Sequence, residues 1–316
     1  MSSSAQLQRL TVDTLRALCR HTGITGVPTR KAEIAATLAR HLDPFQPPVP
    51  PLTKSSPPPP IVLSVDVGYK NLAWACIQGP RVLAWHRTSI IDRGTVPMAD
   101  GTKDGLPSRI YDPQLFARGV HSAVGEMQQQ LVRAIPSSHP GSVYAVVERQ
   151  RTMGPAQGSM TVFMVNAVEA MLWAALLHPT LLPSGVDLHA RSLPPGQVSG
   201  WFALKGEGKS KNKKANAVGL VTRLLASPHC FTTADQPGLV VREMVPPYLV
   251  LPADARAGFV TAGKQDDMAD ALLQALAYQD WMANSRRLAG VLAHNGVISV
   301  DECGQWPSWR RRLVLG

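Results

Sequence analysis

Cysteine is scarce in this chain and never paired at short spacing. The four residues Cys19, Cys76, Cys230 and Cys303 form no C-x-x-C unit. That excludes the usual zinc spacings and a disulfide framework, and it fits a reducing compartment. Long apolar runs are missing too. The stretch from Val162 to Leu182 is interrupted by Asn166, Glu169 and His178, short of the roughly 18 uninterrupted apolar residues of a membrane helix, so no membrane partner is expected. Acids are in deficit, 22 against 32 lysines and arginines, for a formal charge of +10. Such an excess favours polyanionic partners, nucleic acid before membrane, because no basic amphipathic helix accompanies it. Met1 to Ala5 lacks the apolar core of a secretory signal, which leaves an organellar presequence open. What is present, 45% apolar and 17% charged residues over 316 positions, is the composition of a soluble folded chain with room for more than one unit.

Residues 5–42 predict a small helical module. Leu7, Leu10, Leu15 and Leu18 recur at near-helical spacing, Thr11 to Asp13 offers cap chemistry, and Gly23, Gly26 and Pro28 mark a turn before a second helix from Lys31 to Leu42. Arg9, Arg16, Arg20, Arg30, Lys31 and Arg40 make this hairpin basic. Residues 43–60 are dense in proline, which blocks helix and sheet and predicts an extended spacer and a domain boundary.

The main unit, 61–316, opens on an apolar β-branched run, Ile61 to Val65, that ends in Asp66 and Gly68. Strands follow at Leu72 to Gln78 and Arg81 to Thr88, joined by the tight Gly79-Pro80 connection, so three consecutive antiparallel strands are expected. A helix from Gln114 to Ile135 precedes a second carboxylate-ended strand, Ser142 to Glu148. Beyond it come a nearly all-apolar helix from Met160 to Leu177, a short strand near Val186 to Ala190, and a lysine-rich loop leading into a helix to about Leu225. A last amphipathic helix is predicted from Lys264 to Trp281, with its acids in the first turns, where the helix dipole favours them.

Asp66, Glu148, Asp266, Asp267 and Asp270 therefore stand at comparable places, two closing strands and three opening a helix. Taken singly, each is an ordinary turn, strand-end or cap residue. Taken together, gathered carboxylates repel one another unless cations neutralise them, and oxygen-only donors suit Mg²⁺ or Mn²⁺. Two such ions could polarise a phosphodiester and stabilise the leaving oxygen. In the lysine-rich loop, Gly208-Lys209-Ser210 lacks the earlier glycine of a nucleotide-binding loop, since Ala203 stands there. Lys205, Lys209, Lys211, Lys213 and Lys214 are better read as contacts to phosphates.

Four motifs in order carry a resemblance: Ser64-Val-Asp66-Val-Gly68-Tyr-Lys-Asn71-Leu-Ala-Trp74, Val147-Glu148-Arg149-Gln150-Arg151, Lys209-Ser-Lys-Asn-Lys-Lys-Ala215, and Lys264-Gln-Asp-Asp-Met-Ala-Asp-Ala-Leu272. With them the main unit resembles the fungal mitochondrial Holliday junction resolvases, the Cce1/Ydc2 family, which are similar to bacterial RuvC. The N-terminal hairpin resembles a SAP motif, a two-helix module that contacts DNA. The resemblance implies an α/β, ribonuclease H-like mixed sheet flanked by helices. It also implies a homodimeric, metal-dependent endonuclease that makes paired nicks in four-way junctions, leaving 5′-phosphate and 3′-hydroxyl ends, and a mitochondrial location. Two Mg²⁺ or Mn²⁺ ions would be held by Asp66, Glu148, Asp270 and one of Asp266 and Asp267. RuvC-like spacing selects Asp267; the fungal pattern selects Asp266, to which the alignment leans. Arg149, Arg151, Arg30 and Lys31 would contact DNA. Two rivals remain: a non-catalytic DNA-binding protein on the same scaffold, and an actin-like ATPase, for which no second phosphate-binding turn follows Gly158.

Overall fold

The computed structural model describes residues 3–45, 59–91, 112–135, 142–149, 160–178, 186–194, 196–202, 213–226, 257–260 and 265–294. Arg151, Lys205, Lys209 and Lys211 lie outside the described residues, as do most of the proline-rich spacer and everything after His294.

Strands β1 (Ile61–Val67), β2 (Asn71–Gln78) and β3 (Arg81–Ser89) form an antiparallel meander, and β4 (Ser142–Glu148) and β5 (Asp187–Leu193) continue the sheet on the other side of β1 as parallel strands. The order is β3-β2-β1-β4-β5, the expected mixed sheet. Central β1 is covered on both faces, and its alternation divides the core in two. Ile61, Leu63, Val65 and Val67 face α4 (Pro113–Ala134) and α5 (Met160–Leu176). Val62 faces the opposite side, shared by the short α6 (Gln197–Trp201), α7 (Lys213–Ala226) and α8 (Gln265–His294). Asp112 starts α4 by accepting from the backbone N–H groups of Gln114 and Leu115 at 2.9 and 3.2 Å, with Pro113 in the first turn. Burial pushes the Cys76 thiol up to about 12, which suits an inert core residue.

At the N-terminus, α2 (Val12–His21) and α3 (Lys31–Leu42) are the two expected helices, preceded by a short α1 (Ser3–Leu7) that the spacing did not predict. Thr11 caps α2, its hydroxyl accepting from the Thr14 N–H at 3.2 Å. Three short helices hold little core of their own. Leu7, Leu15, Leu18, Ile34, Leu38 and Leu42 accordingly close on Leu288, Ala289 and Leu292 of α8. This dock explains why α8 continues to His294 instead of ending at Trp281. Asn284 and Ser285 look like a polar stop, but both are buried against the module. The Asn284 amide donates to the His21 carbonyl at 2.8 Å, and the Ser285 hydroxyl lies 3.2 Å from His41 Nε2. Gly23, at φ +75°, sits so close to the Trp281 indole that a Cβ there would fall 2.6 Å from the ring.

β5 also runs three residues beyond its expected end. Its sequence, Asp187-Leu-His-Ala-Arg-Ser-Leu193, has no apolar run, and its pairing with β4 defines it.

Candidate active site

Register places the functional side chains. Asp66 lies opposite Ala73 of β2, and Ala73 lies opposite Arg87 of β3. On the other flank Val65 pairs with Val147, so Asp66 and Glu148 close neighbouring parallel strands at one level. Residues opposed across a sheet share a face. Arg87, Ala73, Asp66 and Glu148 thus make one row beneath α8. The next row down, Trp85, Ala75, Ser64 and Val146, fastens that helix. The Trp85 indole N–H donates to the Met268 carbonyl at 2.9 Å, and the Ser64 hydroxyl donates to the Ala271 carbonyl. Both bonds grip the first turns of α8, which carry Asp266, Asp267 and Asp270.

The electrostatics record the convergence. The Asp66 carboxyl is held well above its ordinary range, first by desolvation and then by the charges of Asp270, Glu148 and Asp267; Lys214 opposes them. Three carboxylates, from β4 and the start of α8, therefore act on Asp66. Asp266 pairs with the Lys214 ammonium of α7. That contact raises the Lys214 pKa. Asp267 Oδ2 lies 3.4 Å from Arg87 Nε, with both side chains about a quarter exposed. Adjacent acids on α8 point different ways, and the inward member is Asp267, spaced three from Asp270 on one helical face.

Glu148 is held from behind, its Oε1 accepting from the Gly196 N–H at 3.2 Å where α6 begins. Arg149 follows, exposed, with its own N–H donating to the Leu193 carbonyl at 2.7 Å. Lys213 opens α7. Arg30 and Lys31 are exposed at the start of α3, on the module docked at the other end of α8. Arg87 is the residue that sequence spacing did not single out.

The donor set is all carboxylate oxygen, the chemistry of Mg²⁺ or Mn²⁺, and the mutual repulsion that lifts Asp66 is what a bound cation would relieve. Among the described residues, no three His, Cys, Asp or Glu side chains are placed closely enough to enclose an ion as they stand. The fit therefore rests on donor chemistry and electrostatics, not on a preformed cage.

Residues 62–288 match the family model described as mitochondrial resolvase Ydc2 / RNA splicing MRS1. The chain belongs to this family. No curated protein matches it by sequence. Among solved structures it is similar to the yeast mitochondrial Holliday junction resolvase Ydc2, at 17% identity and a TM-score of 0.51, covering 93% of this chain and 99% of that one. A second similarity is to Thermus thermophilus RuvC in complex with a Holliday junction substrate, at 13% identity and a TM-score of 0.35, covering 70% of this chain and 94% of that one. The Ydc2 likeness shows the fold. All of the acidic candidates lie inside the segment matched by the Ydc2 family model, and the N-terminal module lies outside it.

Proposed function

We propose that this chain is a metal-dependent endonuclease that resolves four-way DNA junctions by paired nicks, leaving 5′-phosphate and 3′-hydroxyl ends. The observation that carries the proposal is the gathering of Asp66, Glu148, Asp267 and Asp270 at one level of the sheet, inside a chain of net positive charge. These four residues would hold divalent ions, probed as Mg²⁺ or Mn²⁺. When bound, such ions supply Lewis-acid polarisation of the phosphodiester and charge stabilisation at the leaving oxygen. The protein's own residues do the rest. The rigid β1 and β4 ends fix Asp66 and Glu148, and the grip of Ser64 and Trp85 on α8 fixes the height of Asp267 and Asp270. Lys214 and Arg149 offer positive charge at the rim for the phosphates of the scissile strand.

A second copy of the chain completes the assembly. α5 is apolar almost all round, and Phe163 on it and Leu177 just past its end are more than half exposed (55% and 62%). A twofold dimer formed there would place two centres on a twofold junction. The family description, which names a mitochondrial resolvase, supports a mitochondrial location.

The test is cleavage of a synthetic four-way junction against linear duplex, with Mg²⁺, Mn²⁺ or chelator. Symmetrical metal-dependent nicking of the junction is expected. Asp66→Asn should lose it by more than the roughly 100-fold at the upper end for residues that only support a metal ligand. Unchanged cleavage by that variant sinks the assignment. The family description also covers RNA splicing, so binding of junctions or structured RNA without nicking would favour a non-catalytic nucleic-acid binder.

A further inference from the structure

The acids in the Arg87 row explain how charge accumulates beneath α8, but not why Asp267 turns toward it. Asp267 sits in the first turn of a helix, free to choose among staggered rotamers, and the charges of Asp66, Asp270 and Glu148 work against its facing inward. Its neighbour Asp266 faces Lys214 instead. Something must set the choice, and Arg87 is in place to do so.

The β3 backbone brings Arg87 into the row by an irregularity. Gln78 pairs with Arg81 and Ile77 with Val82, but the register then shifts, and Cys76 pairs with Ala84. This β-bulge leaves Leu83 as the extra residue. Without it Arg87 would oppose Leu72, whose side chain lies in the α4 and α5 core. With it Arg87 opposes Ala73. Ala73 carries only a methyl group, so the long Arg87 side chain has a clear path across β2 toward α8. Trp85, two residues back on the same face, is pinned to the Met268 carbonyl immediately after Asp267. The cation and the carboxylate are thus held in one frame, 3.4 Å apart and largely shielded from solvent.

We propose that Arg87 is a positioning residue that orients the Asp267 carboxylate toward Asp66, so that one ligand of the acidic centre is already aimed before any ion binds. This rests on the nuclease reading, and it can be tested apart from it. If Arg87 acted only through its charge, removing it would leave the centre more negative and Mn²⁺ would bind more tightly. If it positions Asp267, removing it disorders a ligand and Mn²⁺ binds more weakly.

The full-length protein and its Arg87→Ala and Arg87→Gln variants are titrated with Mn²⁺ by calorimetry, beside junction affinity in Ca²⁺ and thermal melting. Arg87→Ala should weaken Mn²⁺ binding about 10-fold or more and raise the half-saturating Mn²⁺ for cleavage by the same factor, with junction affinity unchanged. Arg87→Gln keeps the stem and a neutral donor, and should lose less. It carries the comparison if Arg87→Ala fails to fold. Equal or tighter Mn²⁺ binding by both variants overturns the proposal. So does weaker junction affinity with Mn²⁺ binding intact, which would make Arg87 a DNA contact. Loss of Mn²⁺ affinity in a protein whose parent binds Mn²⁺ but nicks nothing would support the positioning role and remove the nuclease assignment.

Discussion

Asp66 has its pKa raised because the folded protein surrounds its charged form with other carboxylates and little water. The sign of the consequence follows from linkage. A carboxyl whose folded pKa exceeds its unfolded value binds more protons when folded, so stability is lost as pH rises from the unfolded value through the folded one. In chelator, Asp66→Asn should therefore melt higher than the parent at neutral pH, and the gap should shrink as pH falls toward the unfolded value of about 4. A gain of about 1 kcal/mol would appear as about 1–2 °C in a melting curve of a chain this long. Added Mn²⁺ should close the gap from the other side by stabilising only the parent. The same row separates the two adjacent acids of α8. Asp267→Asn should cost roughly 100-fold or more in single-turnover cleavage, beyond the range of a merely supporting residue. Asp266→Asn, which releases Lys214, should retain most of the rate. Asp66 and Glu148 were legible in the sequence because a carboxylate ending a buried-type strand stands out wherever the strand packs. The choice between Asp266 and Asp267 was not, because it depends on the rotation of α8 about its axis, which Ser64 and Trp85 set from distant strands. Arg87 was hidden more deeply still. Counting back from the Gly79-Pro80 turn places it opposite Leu72, and only the bulge at Leu83 reverses that.

The elements themselves were mostly legible, since β1 to β4 and α2 to α4 carry clear periodicity or caps and α5 is one long apolar run. The last three residues of β5 and the second half of α8 were not, because neither is defined by its own sequence. Each exists through a partner: β4 for one, the N-terminal helices for the other. That dependence can be measured at His41, near the end of α3. Desolvation first, and then the nearby Arg191 charge, push its pKa from 6.5 down to about 4, while its Nε2 lies 3.2 Å from the Ser285 hydroxyl. The folded state binds fewer protons than the unfolded between those values, so this site's stability is full above about 6.5 and is lost as pH falls toward 4. Hydrogen exchange of α2 and α3 should accelerate in that window, and His41→Asn should flatten the dependence. Gly23→Val, which drives a side chain into Trp281 at a positive φ, should loosen the same dock at every pH. On the other side of the sheet, if the proposed dimer forms through α5, Phe163→Glu should give a monomer in light scattering and leave the melting temperature of the subunit nearly unchanged.

For the molecule as a whole, one long helix separates an acidic end from a basic one. α8 carries the acids at its start and the basic module on Leu288 to Leu292, about 30 Å further along at 1.5 Å per residue. Arg30→Glu with Lys31→Glu should weaken junction binding and lower the salt slope by about 2, with the rate at saturation unchanged. Removing residues 1–45 should do more than delete a DNA contact. It would bare Trp281, Leu288 and Leu292, and the expected result is an aggregation-prone chain with a lower melting temperature. The Pro-rich spacer is expected from its composition to be a boundary, and the ends that flank it are anchored. Phe45 packs on two hydrophobic clusters, and Pro59 lies against Gly79 and accepts from the Gln78 amide at 3.2 Å.

The dock between the first helices and the last one also sets an order of events during synthesis. Leu7, Leu15 and Leu18 leave the ribosome long before the face that covers them, Leu288 to Leu292, is made. At roughly 5–20 residues per second the wait is on the order of tens of seconds. For that time the module's apolar side chains have only one another, and they are the part of the nascent chain that a holding chaperone would have most reason to cover.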